Sequence, residues 1–419
     1  MAQICIVTGA HLCRNPRVVK EADALTDAGH AVTVLGPALA SDLADEDRAL
    51  AAGAGWTHRF GVDIRPEAGP SRHVPRLVRR VAVEAGRRLD VERPEALGYG
   101  VRTLLRSARD LDADLTIGHQ EVGTWVCAQL ARAGRRVGVD VEDWYSRLPN
   151  EDQRADVPVG LLRSVERATL GGAAFATTTS HALADALAAA YDAAPPRVVY
   201  NAFPWADRDG LDGRALDRPA RERLSLHWVS QTIGPDRGLG LLFDALRLVE
   251  APVDVHLRGT LSAENERWLR ASFPSATHGL FVHGLVPPGE LLSRIAEHDV
   301  GIALEQTTPL SRDLSVTNKI LHYLLGGLAV VATRTAGQEE VAAQAPDAVA
   351  VVDQGDAGAM AAAVQALAAD PEALRRAKAA ALDAARRTFC WERQAPVVVA
   401  AAADALRLSP GSPPRHPSS

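Results

Sequence analysis

The chain is poor in the residues that build cross-linked or metal-centred folds. Its 419 residues include only four cysteines, Cys5, Cys13, Cys127 and Cys390, with no Cys-x-x-Cys pair among them. That pattern argues against a disulfide framework or a thiolate metal site and fits a reducing cytoplasm. No apolar run approaches the roughly 18 residues that span a bilayer, and no transmembrane helix is expected. The opening MAQICIVTGAHLC lacks a cationic leader and reads as a strand rather than a signal peptide.

Several catalytic signatures are also missing. Residues 9 to 14 read GAHLCR, not Gly-x-Gly-x-x-Gly, and Gly238 with Gly240 is a weak dinucleotide signal. There is no HExxH, no GxSxG and no Gly-x4-Gly-Lys-Ser/Thr, which removes support from hydrolase and kinase readings. Excess positive charge is absent as well. A net charge of -6 and a pI near 6.1 give no overall attraction to polyanions, so nucleic acid is not expected as a partner.

What is present describes a globular enzyme. With 47% hydrophobic and 23% charged residues the chain falls among folded soluble proteins, and its length exceeds one hydrophobic core. Ile4–Val7 reads as a strand, a helix opens near Pro16 and stops before Gly29, and Ala31–Leu35 reads as the next strand. This βαβ unit implies a parallel sheet. The alternation continues through strands at Leu115–Gly118, Val137–Val141, Ala174–Thr178 and Val198–Tyr200. It begins again with strands at Leu226–Val229, Val253–Leu257, Phe281–Val282, Val300–Ala303, Ala329–Ala332 and Ala348–Val352.

The expected fold class is therefore α/β, with two Rossmann-like, doubly wound parallel-sheet domains facing a cleft. Residues 1–203 form the first domain, 204–220 a polar linker, and 221–387 the second domain. Residues 388–408 form a C-terminal helix that crosses back to the first domain, and 409–419 a Pro/Ser-rich disordered tail. Residues 37–100 are the least regular part. There RLVRRVAVEAGRR allows a basic amphipathic helix, whose plain reading is a solvated face and whose alternative is a membrane surface or an anionic acceptor.

Ligands of open parallel sheets sit beyond the carboxyl ends of strands, so the loops there hold the candidates. Gly9 and Ala10 follow the first strand where backbone N–H groups can meet a diphosphate, although Gly9 also suits a plain turn. Arg17 lies in the first helical turn, where it would order the loop or meet substrate. His119 ends a strand and either donates to substrate or caps the next helix. Asp140, Glu142 and Asp143 follow another strand, as an acceptor-binding base or as an acidic cap. In the second half Arg237 stands on a Gly-flanked turn before a helix, and Ser315, Thr317, Asn318 and Lys319 open another. Both are suited to phosphate oxygens, with helix capping the compatible alternative.

Four segments, NPRVVKEADALTDAGHAVTVL, TTTSHALADAL with VVYNAF, GPDRGLGLLFDAL and SVTNKILHYLLGGLAVVAT, in this order and spacing, resemble the GT-B glycosyltransferases. Within that fold they resemble the retaining family-4 (group 1) type found widely in bacteria. The resemblance implies a nucleotide-diphosphate sugar as donor, a small-molecule or glycan acceptor, and no cofactor or metal. It implies that His119, Arg237 and Asp313 serve catalysis. Gly9, Ala10, Arg237, Phe281, Val282, Gly284, Leu314, Ser315, Val316, Thr317, Asn318, Lys319 and His322 would hold the donor, the 281–284 segment at the nucleobase. Arg17, Glu142, Asp143 and Tyr145 would meet the acceptor.

The chain departs from the family where two glutamates stand with seven residues between them, since Leu314 and His322 occupy those positions. Glu305 and Asp313 have similar spacing, read as coincidence because Glu305 directly follows a strand. The alternatives are a nucleotide-sugar epimerase on the same fold and a sugar-nucleotide-binding protein without transferase activity. The oligomeric state is left open.

Overall fold

A computed structural model describes residues 1–148, 156–218 and 223–408, so the expected tail at 409–419 and the last residues of the expected linker lie outside the described residues. The chain divides into two compact units. Unit 1 comprises Met1–Val199, Pro309–Ser311 and Ala395–Ser419, and unit 2 comprises Tyr200–Thr308 and Arg312–Gln394.

Unit 1 is built on a sheet of seven strands: β1 (Gln3–Val7), β2 (Ala31–Ala38), β3 (Thr57–Asp63), β4 (Leu115–His119), β5 (Val137–Val141), β6 (Phe175–Thr178) and β7 (Arg197–Val198). Their spatial order is β3-β2-β1-β4-β5-β6-β7, and every pair is parallel. β1, β4 and β5 are buried almost throughout and mostly apolar, as strands covered on two sides by helices must be, with His119 and Asp140 buried at the carboxyl ends of β4 and β5. The helix Pro16–Asp27 starts where the sequence places it, with Asn15 accepting from the Val18 N–H at 3.4 Å and Pro16 in the first turn.

Unit 2 carries a six-stranded sheet: β8 (Leu224–Thr232), β9 (Val253–Thr260), β10 (Gly279–His283), β11 (Val300–Ala303), β12 (Ala329–Thr333) and β13 (Val349–Val352). The order is β10-β9-β8-β11-β12-β13, again all parallel. Its core sets Trp228, Leu257, Ile302 and Val331 of the strands against Leu242, Phe243 and Leu246 of helix Leu239–Leu246 and Met360 and Val364 of helix Ala357–Ala369. The fold class is the doubly wound α/β pair read from the sequence.

The segments differ from expectation in three places. The 37–100 stretch contains an unforeseen strand, β3, flanked by helices Ser41–Ala52 and His73–Leu89. β3 is an edge strand that fully buries only Val62, so its sequence lacks the apolar signature of the inner strands. The first sheet stops at Val198, because Tyr200 donates its N–H to Gln394 Oε1 at 3.0 Å and Phe203 bridges to Cys390 within unit 2. The described linker residues also lie in unit 2: Arg218 pairs with Asp299 at 2.7 Å, Asp217 with Arg258, and Asp212 with Arg294.

Four histidines are packed together inside unit 2. The His227 and His298 rings stack at 4.6 Å, His256 lies 4.5 Å from His298, and His256 Nδ1 is 3.0 Å from His283 Nε2. Burial is the main reason their pKa values fall, and Arg258, Arg218 and the neighbouring imidazoles add to it, while Asp217 opposes the fall at His256 and His283. His256 is lowered to about 4. An unfolded chain takes up protons near pH 6.5 that the folded cluster refuses, so stability falls as pH drops from about 6.5 towards 4. Urea unfolding followed between pH 6.5 and 5, above most carboxylate titrations, is expected to show a falling midpoint; a flat midpoint over that window contradicts the neutral cluster.

Candidate functional site

In both sheets the crossovers run in opposite directions from a central strand pair, β1/β4 in unit 1 and β8/β11 in unit 2. The loops beyond the carboxyl ends of such a pair diverge and leave a crevice. Each unit places sequence candidates at this point.

In unit 2 the crevice is a cavity of about 260 Å³, close to the lower end of small-molecule sites at about 300 Å³. Trp228, Val229 and Ser230 of β8 line it, as do Leu304, Glu305 and Gln306 just after β11, and Asp236 and Arg237 of the turn Pro235–Arg237. Arg312, Thr317, Asn318 and Lys319 complete the lining. The turn holds its shape through Gly238, whose φ of +80° favours glycine and where a Cβ would press on Leu304 at 2.8 Å. Gly337 lets the opposite wall close, since a Cβ there would meet the Ser315 carbonyl oxygen at 2.2 Å.

The charges of this wall are arranged unequally. Lys319 Nζ lies 3.0 Å from Glu305 Oε1 and 5.2 Å from the centre of the Trp228 ring. Burial would raise the Glu305 pKa, but Lys319, with a smaller contribution from Arg312, overcomes it and holds the carboxyl below its usual range. Arg237 donates to Thr232 Oγ1 at 3.2 Å. The three cations outnumber Glu305 and Asp236, and helix Asn318–Gly326 directs its first N–H groups to the same wall. Such a surface suits an anion with several oxygens.

Arg237, Thr317, Asn318 and Lys319 are thus brought together. The other unit 2 candidates sit around them. Ser315 and Val316 are buried, Leu314 is half-buried, and Asp313 accepts from the Ala336 N–H at 3.2 Å, at the start of helix Ala336–Gln344, so it holds a helix end rather than lining the cavity. His322 is turned against Phe203, their rings stacked at 3.5 Å. Phe281 and Val282 are exposed on edge strand β10, separated from β8 by β9, and Gly284 gives its carbonyl oxygen to Arg258. The cavity adds Trp228, Asp236, Glu305, Gln306 and Arg312, which sequence reasoning did not select as site residues. The one available signal was that Glu305 directly follows a strand.

In unit 1 the candidates at the β1/β4 point form a buried ion network. Arg17 is 2% exposed, donating to both oxygens of Asp140 at 2.5 and 2.7 Å and to the Val199 carbonyl at 2.8 Å. The expected rim arginine is therefore an interior one, its donors already engaged by the fold. His119 Nε2 lies 2.8 Å from Glu21, and its Nδ1 lies 3.3 Å from Asp140 and 3.5 Å from Glu142. Burial opposes protonation of His119, but Glu21, Asp140 and Glu142 outweigh it and hold its pKa well above the usual value. Burial likewise opposes charge on Asp140, and Arg17 and His119 overcome it.

Glu21, His119 and Asp140 lie close enough to share a cation, the one such trio found among the described residues. Arg17 and the Thr177 hydroxyl already hold the Asp140 oxygens, so pairing within the chain accounts for the cluster. Nearby, Gly9 and Ala10 are half-buried and the Ala10 N–H is 3.3 Å from Thr8 Oγ1. Glu142 and Asp143 are half-buried, and Tyr145 is buried with its hydroxyl unpaired and its pKa raised chiefly by burial. Volume alone does not mark a site, because a cavity of about 250 Å³ lined by Ala82, Gly86, Arg87, Asp156 and Pro158 lies away from the strand ends.

Residues 224–370 match the family described as "Glycosyl transferases group 1", which bears out the resemblance read from the sequence. No curated protein matches the chain. Among solved structures, sucrose-phosphate synthase from Thermosynechococcus elongatus matches with a TM-score of 0.66 at 16% identity, over 95% of this chain and 97% of its own. Anabaena HepE in complex with UDP and glucose gives 0.63 at 14%, over 97% and 99%. Trehalose 6-phosphate synthase from Burkholderia multivorans gives 0.61 at 14%, over 97% and 96%. At such identities the likeness is one of fold, and it extends over both units.

The buried network of unit 1 has a measurable consequence. Asp140→Ala strips Arg17 and His119 of their shared carboxylate inside the protein, and loss of one partner of a buried pair costs about 3–5 kcal/mol. Urea unfolding is expected to show a loss of that size; a change below about 1 kcal/mol contradicts the pairing described.

Proposed function

We propose that the protein transfers a sugar from a nucleoside diphosphate sugar to a small-molecule or glycan acceptor, with retention at the anomeric carbon and without a metal ion. The observation that carries this reading is the cavity at the β8/β11 switch point, where Arg237, Arg312 and Lys319 converge with the start of helix Asn318–Gly326. As the bond from sugar to diphosphate breaks, negative charge grows on the phosphate oxygens. Cations and N–H groups fixed beforehand stabilise that charge without reorganising. In front-face attack the departing phosphate oxygen takes the acceptor proton, so no protein base is required. The UDP and glucose named with HepE make a uridine diphosphate sugar the first donor to test.

A second reading, a sugar-nucleotide-binding protein without turnover, is favoured by one observation. His322 stands where the family holds ribose with a glutamate, and its ring is stacked on Phe203. Release of nucleoside diphosphate from a donor sugar separates the two readings, because only the transferase accumulates it when acceptor is added.

Thermal unfolding with UDP, GDP, dTDP and ADP is expected to show stabilisation by at least one of them, about 2.7 kcal/mol at a hundred times its dissociation constant. If none shifts the melt, the donor-site reading fails. Arg237→Ala removes charge-assisted hydrogen bonds worth about 1.5–3 kcal/mol, so titration calorimetry is expected to show roughly ten- to hundredfold weaker nucleotide binding. Unchanged affinity removes Arg237 from the site.

A further inference from the structure

Helix His73–Leu89 turns only Ala82 fully inward. Val74, Leu77, Val78 and Val81 are 44–63% exposed and recur at i, i+3, i+4 and i+7. At about 100° per residue they fall within one arc of roughly 100°. Leu89, on the same side, is exposed too. By the same spacing Arg88 falls inside this arc, Arg80 lies about 60° beyond its edge, and Arg87 and Arg76 lie further round, all four turned towards solvent.

Within the helix five arginines stand against one glutamate, in a chain whose net charge is -6. Glu84 pairs with Arg87 and Arg88, and Asp156 also pairs with Arg87. Among the described residues no carboxylate lies within ion-pair distance of Arg76, Arg79 or Arg80; Arg76 donates to the Ile64 carbonyl, and Arg79 lies over the Tyr99 ring. The plain reading of this segment, a solvated polar face, does not account for four large aliphatic side chains in a row facing water.

We propose that helix His73–Leu89 is a docking face for an anionic lipid surface. It would lie in the interfacial plane with Val74, Leu77, Val78 and Val81 among the upper acyl chains and Arg80 and Arg88 at the phosphates. An apolar stripe bordered by arginine is the arrangement by which peripheral helices bind negatively charged bilayers. The charge argues against a second copy as occupant, because two-fold pairing of this face would bring arginine flanks of like sign together.

The test uses the full chain and sedimentation with vesicles of phosphatidylcholine and phosphatidylglycerol in equal parts, beside vesicles of phosphatidylcholine alone. Expected is binding to the mixed vesicles at least about tenfold stronger than to the neutral ones, weakening with added salt. Leu77→Asp with Val81→Asp is expected to cut binding by about tenfold or more and to leave the melting temperature and nucleotide affinity unchanged, since both side chains are exposed. Arg80→Glu with Arg88→Glu is expected to weaken binding and flatten its salt dependence.

No sedimentation with the mixed vesicles overturns the proposal, and so does unaltered binding by the Leu77→Asp, Val81→Asp variant. Self-association of the natural chain that this variant abolishes, without vesicle binding, assigns the face to a second copy instead and also overturns it.

Discussion

Parallel strands cannot be joined by a tight turn, and this constraint organises both halves of the molecule. Each pair needs a crossover, the crossovers return on one hand, and the sheet must be covered on both faces. Where the winding reverses, between β1 and β4 and between β8 and β11, adjacent loops are forced apart at the carboxyl edge. The polar clusters of the two switch points collect there because the diverging loops leave a crevice between them.

The two crevices have been filled in different ways. Unit 1 seals its crevice with opposite charges at hydrogen-bond distance, Arg17 and His119 against Glu21, Asp140 and Glu142, so that little of the charge meets solvent. Unit 2 leaves its own open and cationic, with one lysine tempered by Glu305 and two arginines on the wall. The same topology therefore carries a sealed ion network in one half and an open crevice with an excess of cations in the other. Two glycines make the open form possible: Gly238 shapes the arginine turn, and Gly337 admits the Ser315 backbone.

The sequence made the strands legible wherever they are buried on both faces, because Ile4–Val7 and Val300–Ala303 are continuous apolar runs and Val137–Val141 is one but for Asp140. β3 escaped notice because an edge strand with one inward residue carries no such run. At the site, Arg237, Thr317, Asn318 and Lys319 were legible since glycine turns and helix starts are written locally. Asp313, His322 and Arg17 were misplaced because their partners, the Ala336 N–H, the Phe203 ring and the Asp140 carboxylate, lie about 20 to 120 residues away. Spacing along a chain predicts which edge a residue occupies, but not which neighbour claims its side chain.

The histidines of the two units respond to acid in opposite senses. His119, with its pKa raised by carboxylates, holds a proton that stabilises the folded form most fully below about pH 6.5. The stacked rings of unit 2, with lowered pKa values, penalise the folded form over the same range. Acidification towards about pH 6.5 therefore strengthens unit 1, and further acidification loosens unit 2. Each unit thus sets one slope of the stability profile against pH, unit 1 above about pH 6.5 and unit 2 below it.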